Sequence, residues 1–101
     1  MSNLLTNKQS QKMLNSLSSR WSIKQKYLIC IYKFKDFNGA IQFVNKLAVK
    51  CNEMNHHPKW TNVYDSIEIE LYTHDKKGLT NKDFELSKYM DKIYEKLLSN
   101  L

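Results

Sequence analysis

The sequence predicts an α+β fold, in which a four-stranded antiparallel sheet carries three helices on one face in the order α-β-β-α-β-β-α. Tyr27–Phe34 and Ile67–His74 are rich in β-branched and aromatic residues, and the second segment also alternates between apolar and polar positions, as strands do. Phe37–Glu53 and the segment after Thr80 instead repeat apolar residues at helical spacing. Because the connections between these segments are short, we expect antiparallel pairing of the strands.

The chain starts with a predicted helix and a predicted hairpin. Leu4–Ser18 is the helix, Thr6 is its N-cap, and Gln9 three residues later completes a capping box. Trp21–Ile23 and Tyr27–Phe34 are the two strands of the hairpin, and a tight polar connection joins them. We expect these two strands to pair antiparallel.

The central helix, Phe37–Glu53, has the clearest pattern, and Asp36 is suited to cap its N-terminus. Its spacing predicts one apolar face, formed by Phe37, Ala40, Ile41, Val44, Leu47, Ala48 and Cys51. Phe43 lies off this face and is expected to contact a second surface. The segment Asn52–Asn55 should form the end of the helix and its exit.

A second hairpin follows the only proline, Pro58. The residue before a proline is kept out of the helical region, so His57 should be extended. Trp60–Asp65 is predicted as a short strand and Ile67–His74 as a longer one. In the longer strand Ile67, Ile69, Leu71 and Thr73 share one face. His74 is therefore predicted at the strand end, on the less apolar side.

The last helix begins at Thr80, after a predicted turn over Asp75–Gly78. Thr80 is its predicted N-cap, and Asp83 three residues later resembles the acid of a capping box. The apolar stripe of this helix consists of Phe84, Leu86, Met90, Ile93 and Leu97. This face is broad, so part of it is available for a subunit contact.

The composition is that of an ordinary globular chain. With 101 residues it is expected to form a single domain, 1–101, with one modest core. No apolar run approaches the roughly 20 residues of a membrane span. The N-terminus offers only Leu4 and Leu5 as an apolar pair, so we expect no signal peptide and a cytoplasmic location.

Charge and cysteine content argue against a nucleic-acid-binding protein and against a disulfide-bonded one. The net charge of +6 comes from scattered lysines rather than from a basic tail or an RNA-binding motif, which favours a solvated surface over a nucleic-acid groove. Cys30 and Cys51 each lie in an apolar pattern, so buried thiols are expected rather than a disulfide.

All three histidines lie between Asn52 and Asp83, and imidazole exchanges protons near neutral pH. Adjacent residues on an extended segment point to opposite sides, so His56 and His57 are poorly placed to share a metal ion, and no metal site is predicted. Cys51 lies on the apolar helix face, which indicates a core residue rather than a nucleophile. Acid–base chemistry by the histidines remains, beside a purely structural role for them.

The spacing of several residues in the second half of the chain carries a family resemblance. His56–Pro58 is followed by Tyr64, by His74 and by Asp83. With these intervals the sequence resembles the pterin-4a-carbinolamine dehydratases, and the resemblance extends over about Trp21–Leu98. It implies dehydration of 4a-hydroxytetrahydropterin to quinonoid dihydropterin and water, the step that recycles a tetrahydrobiopterin-type cofactor. A 4a-hydroxytetrahydrobiopterin dehydratase of this kind is a hydro-lyase and needs no metal or redox cofactor.

The resemblance also implies roles for individual residues. His56 and His74 would be the acid and the base, in either order, and His57 would bind and orient the pterin with a share in proton transfer. The residues implied for substrate binding are Pro58, Trp60, Thr73, Asp75, Asp83 and Glu53. For Asp83 a helix cap is an equal alternative, and Tyr64 belongs either to the pocket or to the core.

One position departs from the family pattern. The family usually has a charged residue, often Glu, four places before the first histidine, and this chain has Asn52 there. Glu53 is the next residue, but one step along a helix rotates a side chain by about 100°. Any tuning of a histidine by the family acid is therefore in question here.

A binding module is the alternative function. In animals the family includes a dimerisation cofactor of a homeodomain transcription factor, and the last helix would be the contact surface for such a protein partner. A scaffold in pterin metabolism is a further reading. The resemblance implies a homotetramer or homodimer, whereas the composition predicts no membrane contact and argues against a nucleic-acid partner.

Overall fold

The computed structural model describes residues 3–99 of the chain. Within them the helices and strands follow the predicted order. Their bounds are α1 Asn7–Leu14, β1 Ser22–Lys24, β2 Tyr27–Lys33, α2 Phe37–Met54, β3 Lys59–Val63, β4 Ser66–Leu71, a 3-10 turn His74–Lys76 and α3 Asn81–Ser99. The predicted α+β fold class is confirmed.

The strands form one antiparallel sheet in the order β1-β2-β4-β3. Both predicted hairpins are present, β1 with β2 and β3 with β4. The fourth strand is inserted between β2 and β3 and also pairs with β2 along its whole length. The helix α2, which connects β2 to β3, therefore crosses the sheet and packs against β4.

Helices cover one face of this sheet. The buried face of the two central strands consists of Leu28, Cys30, Tyr32, Ile67, Ile69 and Leu71. On the opposite face Ile31 is 60% exposed and Val63 is 69% exposed. The alternation in β4 thus selects the face that packs on the helices, as its sequence pattern predicted.

The buried line of α2 overlaps the predicted apolar face, but it includes Phe43 and leaves out Phe37. Its buried positions are Ala40, Phe43, Leu47 and Cys51. Phe43 was expected at a second surface, but it is fully buried and its ring contacts Tyr32 and Phe34 at 4.8 and 5.3 Å between centroids. Phe37 is 46% exposed. The aromatic cluster on β2 receives Phe43, and this contact turns Phe37 towards solvent.

The predicted N-cap of α1, Thr6, is confirmed, but the helix runs over Asn7–Leu14 instead of Leu4–Ser18. Both bonds of its capping box form between Thr6 and Gln9, at 2.8 and 3.1 Å. The helix ends at Leu14 rather than at Ser18, because the following amides turn to carbonyls only three residues back.

One polar network ties the start of the sheet to α3. The carboxylate of Asp91 accepts hydrogen bonds from Ser18, Arg20, Trp21 and Tyr32, at 2.6–3.2 Å. Burial works against the charge of Arg20, but the hydrogen bond and the charge of Asp91 outweigh it and raise the pKa of Arg20. Burial, followed by the bond to Asp91, holds the pKa of Tyr32 above its ordinary value.

The apolar stripe of α3 belongs to the core of this chain. Phe84, Leu86, Met90 and Ile93 are all buried in the monomer, and Leu97 is half-buried. The prediction that these side chains form a contact surface is therefore wrong for the first four. None of the helices within residues 3–99 is both long enough and apolar enough to cross a membrane.

Candidate active site

The exit from α2 separates the two adjacent histidines. Asn55 adopts the left-handed conformation (φ 50°, ψ 46°), which asparagine tolerates and which commonly ends helices. The amide of His56 then donates to the carbonyl of Cys51 at 3.0 Å. The side chain of His56 is buried as a result, whereas His57 is exposed to solvent.

His56 forms a close pair with Asp83, a residue in the first turn of α3. Their atoms Nε2 and Oδ1 lie 2.6 Å apart, and the side chains are 8% and 0% exposed. An ionised carboxylate only accepts hydrogen bonds, so a hydrogen of the imidazole lies on Nε2. This buried pair holds the ring in one orientation.

Two further donors reach the other oxygen of Asp83. The Thr73 hydroxyl donates to Oδ2 at 2.7 Å, and the Thr80 amide donates to it at 3.0 Å. Thr73 and Thr80 also contact each other through their hydroxyls at 2.9 Å. The carboxylate therefore has donors on both oxygens, which compensates for its complete burial.

The second ring nitrogen of His56, Nδ1, has no hydrogen-bond partner within the described residues. Within residues 3–99 the side chain makes one hydrogen bond, through Nε2. No fully buried side-chain nitrogen or oxygen in this part of the chain lacks a partner. Since Nδ1 has no partner, it must reach the surface. A neutral ring with its hydrogen on Nε2 carries its free electron pair on Nδ1, where it can accept a proton.

His57 is held by the residue at the position that departs from the family pattern. Its Nε2 lies 2.9 Å from Oδ1 of Asn52, one turn back on α2. An amide oxygen accepts a hydrogen bond as a carboxylate does, but it brings no charge. Glu53 is exposed and makes no hydrogen bond or ion pair within the described residues, and its role in substrate binding stays a prediction.

His74 lies beyond the strand, not at its end. The strand β4 ends at Leu71, and His74 begins the 3-10 turn that follows. Thr73 explains the early end, because it pairs with Gly78 in an isolated bridge rather than with the sheet. The imidazole of His74 is exposed and stands edge-on to the ring of Tyr72, with 5.1 Å between centroids.

The other predicted site residues differ in their exposure to solvent. Pro58, which follows the two adjacent histidines, and Trp60 are both half-buried, and Trp60 lies on the helix-facing side of β3, opposite Ile69. Asp75 is exposed in the turn with His74. Tyr64 belongs neither to a core nor to this site, because it is 64% exposed in the β3–β4 turn. Six residues of nearly extended chain put it about 20 Å from Pro58.

The structure thus connects His56, Asp83 and Thr73 directly, and His74 is the residue that follows Thr73 in the chain. The sequence did not predict the side-chain contacts of two further residues. Thr80 was expected only as a helix cap, and Asn52 only as the absence of the family's charged residue. The polar side chains of these two residues indicate that they form hydrogen bonds, but not with which partner. The partner of Thr80 lies seven residues away and the partner of Asn52 five, so the contacts depend on how the chain turns between them.

Neither a cysteine nucleophile nor a metal site is indicated near the pair of His56 and Asp83. Cys51 is buried, and burial raises the pKa of its thiol to about 11, which disfavours the reactive thiolate. In the part of the chain from residue 3 to residue 99, no three histidine, cysteine or acidic side chains are grouped closely enough to hold a metal ion.

Comparison with known proteins shows the family to which this chain belongs. Residues 3–93 match the family model described as pterin 4 alpha carbinolamine dehydratase. A protein of Burkholderia vietnamiensis, provisionally named pterin-4-alpha-carbinolamine dehydratase, is 48% identical over 61 residues, which span 60% of this chain and 60% of the relative. A Burkholderia cenocepacia protein of the same provisional name is 51% identical over 59 residues, or 58% of each chain. The matched segments thus span about three fifths of these relatives.

A solved structure extends the similarity to nearly the whole chain. The crystal structure of a protein from Brucella melitensis, described as a transcriptional coactivator/pterin dehydratase, superimposes with a TM-score of 0.88 at 30% identity. It covers 91% of this chain and 99% of that chain. The fold and the site define a small α+β protein with a histidine–aspartate pair suited to proton transfer. The chain belongs to the pterin 4 alpha carbinolamine dehydratase family.

Proposed function

We propose that this protein dehydrates a 4a-hydroxytetrahydropterin to quinonoid dihydropterin and water. The observation that carries the proposal is the buried pair of His56 and Asp83 with the free Nδ1 atom of His56. Membership of the family and the names of the relatives support the same activity. The product would be the quinonoid form that is returned to a tetrahydrobiopterin-type cofactor.

The reaction requires one acid and one base. The bond between C4a and its hydroxyl oxygen breaks, the oxygen takes a proton, and water leaves. The base removes the proton from N5, and the electron pair left on N5 forms the double bond to C4a. No electrons are gained or lost overall, so the balance calls for no redox cofactor.

His56 is the base in this proposal. Its Nδ1 takes the proton from N5, and the imidazolium that forms is stabilised by the carboxylate of Asp83, which already accepts from Nε2 at 2.6 Å. The carboxylate is 0% exposed, so water weakens this charge–charge interaction little. Burial also keeps the ring from turning away from the substrate.

His74 is the acid and His57 a substrate-orienting residue. His74 is exposed, so solvent can restore its proton after each turnover, and its contact with the ring of Tyr72 limits its rotation. His57 is held by Asn52 through Nε2, which leaves the rest of its ring for the pterin. Pro58 and Trp60 offer half-buried apolar surface beside the histidines, and such surface suits a flat bicyclic ring.

Turnover by single-residue variants tests this proposal. We expect His56→Ala to lower kcat by on the order of 10²- to 10⁴-fold, as the loss of a general base does, and His74→Ala to lower it by at least about tenfold. Formation of quinonoid dihydropterin from the carbinolamine is followed spectroscopically. Thr61→Val, on the exposed face of the sheet, is the control. Wild-type rates in both histidine variants, with melting temperatures unchanged, would disprove the assignment.

A protein-binding role is the second candidate. The Brucella melitensis relative is described as a coactivator as well as a pterin dehydratase. A groove of about 570 Å³ between α2 and α3 combines apolar side chains such as Val49 and Leu97 with lysines such as Lys46 and Lys96. Val49 is 59% exposed. This groove would replace the buried stripe of α3 as the contact surface, for a partner protein or for the homodimer or homotetramer that the family resemblance implies.

The two roles can be separated experimentally. Light scattering of the purified chain measures its assembly, and the same measurement on Val49→Glu reports whether the groove takes part. A partner that is retained by the His56→Ala variant but lost by Val49→Glu would favour the binding module. Turnover that survives in Val49→Glu would show that catalysis does not need the groove.

A further inference from the structure

The hydroxyl of Thr80 begins a directed series of hydrogen bonds that ends at His56. Thr73 has one hydroxyl hydrogen, and its bond of 2.7 Å to the carboxylate of Asp83 uses that hydrogen, since a carboxylate cannot donate. The hydrogen in the 2.9 Å contact between Thr73 and Thr80 must then come from Thr80. The order is Thr80 to Thr73 to Asp83, and Asp83 also accepts from His56.

This arrangement is more than a helix cap requires. An N-cap hydroxyl normally accepts from an amide of the first turn. Here the amide of Asp83 bonds to the backbone carbonyl of Thr80 at 3.1 Å, and the hydroxyl of Thr80 turns away to Thr73. The capping contact is made instead by the carboxylate of Asp83, which accepts from the Thr80 amide at 3.0 Å. The side-chain hydroxyl is therefore free for another purpose.

Burial makes the series sensitive to each of its members. Thr80 and Asp83 are 0% exposed, Thr73 is 6% exposed and His56 is 7% exposed. Water cannot replace a missing donor at such positions, and hydrogen bonds in series polarise one another. The donors on Oδ2 fix the orientation of the Asp83 carboxylate, and this orientation keeps Oδ1 against Nε2 of His56, where it can only accept the hydrogen of the imidazole.

We propose that Thr80 is a positioning residue for the base, whose hydroxyl acts through Thr73 and Asp83 to keep His56 in the form with its hydrogen on Nε2 and Nδ1 free. The inference rests on the proposed function for its catalytic consequence. Its structural part, the protonated position on the imidazole of His56, does not depend on any substrate. The two parts can therefore be tested separately.

The first test determines which ring nitrogen of His56 carries the hydrogen. Nitrogen NMR of the ¹⁵N-labelled protein distinguishes the two ring nitrogens of each histidine, and with three histidines in the chain the signals can be assigned by single substitutions. We expect His56 of the wild type to carry its hydrogen on Nε2 alone. In Thr80→Val it should become a mixture of the two neutral forms, whereas Thr80→Ser should restore the wild-type signals. His57, bonded to Asn52, should not change in any variant.

The second test reads catalysis. We expect Thr80→Val to lower kcat about threefold to tenfold, the effect of one lost neutral hydrogen bond, and to change KM less than twofold. Thr80→Ser should retain the wild-type kcat. Thr61→Val is the matched control, because it removes a threonine hydroxyl from the exposed face of the sheet.

The outcomes are distinguishable. If the nitrogen signals of His56 and kcat are both unchanged in a folded Thr80→Val protein, the inference is wrong. If the wild type turns over no carbinolamine, the proposed function fails, and the nitrogen signals alone decide whether Thr80 positions His56. Should Thr80→Val fail to fold, Thr80→Cys repeats the test with a weakly donating thiol.

Discussion

Nε2 of His56 lies 2.6 Å from Oδ1 of Asp83, and this contact joins two helices across 27 residues of sequence. His56 follows the left-handed end of α2, and Asp83 belongs to the first turn of α3. Because Asp83 is completely buried, its only means of compensation are the hydrogen bonds from His56, Thr73 and Thr80. The pair therefore links the packing of the helices to the chemistry of the site.

Asp83→Asn should disable the site while keeping its shape. An amide can offer a hydrogen to Nε2 of His56, which would move the hydrogen of the ring to Nδ1 and remove the free electron pair that accepts the proton. We expect kcat to fall by about 10²- to 10⁴-fold, as in other sites where an aspartate fixes a histidine tautomer. Steady-state turnover measures the effect, and circular dichroism checks that the fold persists. A loss smaller than threefold would contradict the pairing.

Asn52→Glu tests the position at which this chain departs from the family pattern. A carboxylate in place of the amide would give His57 a charged acceptor, and charge-assisted hydrogen bonds are shorter and stronger. We expect a lower KM for the pterin, by about threefold, because a better-held ring orients the substrate more often. Glu53→Gln is the control, since Glu53 makes no contact that the substitution could alter. An unchanged KM would mean that the amide already suffices.

Asp91→Ala should destabilise the fold by about 3 kcal/mol, because it leaves the buried donors of Trp21 and Tyr32 without an acceptor. Urea unfolding measures the loss. Asp65→Ala is the matched control, since its ion pair with Lys33 is solvated on the lysine side, which is 70% exposed, and should contribute no more than about 0.5 kcal/mol. Equal losses in the two variants would show that the Asp91 network is not structural.

The two buried thiols should make the protein less stable in alkali. Burial raises the pKa of Cys30 to about 12 and the pKa of Cys51 to about 11. Unfolded thiols ionise near pH 8.5, so from about pH 9 to pH 11 only the unfolded chain releases these protons. The free energy of unfolding should then fall by up to about 1.4 kcal/mol per pH unit for each thiol.

Urea titrations at pH 7.5, 9 and 10 under reducing conditions measure this dependence on pH. Removing one thiol with Cys51→Ala should flatten it by the contribution of that residue, even though the variant starts from a lower stability because of the cavity it leaves. A slope that is the same with and without Cys51 would show that the dependence arises from other groups.

Much of the fold was predictable because it depends on local patterns. The alternation in Ile67–Leu71 identified the buried face of β4, and the capping box of Thr6 and Gln9 marked the start of α1. The rotation of α2 was not predictable, because the shape of the aromatic cluster around Tyr32 decides that Phe43 is buried and Phe37 is not. The position of β4 between β2 and β3 likewise depends on pairing between distant segments.

In the candidate site, too, the local features were predictable and the contacts between distant segments were not. His56, His57 and Pro58 are neighbours in the sequence. Their order also predicts that the side chains of the two histidines point in opposite directions, because a proline and an extended backbone act within a few residues. The pairing of His56 with Asp83, the use of the Thr80 hydroxyl and the contact of Asn52 with His57 arise only when the two helix ends and the turn after β4 meet. A hydrogen bond requires two atoms within about 3 Å, and the sequence specifies such distances only within a helix, a strand or a turn. Between distant segments the packing of the core sets them.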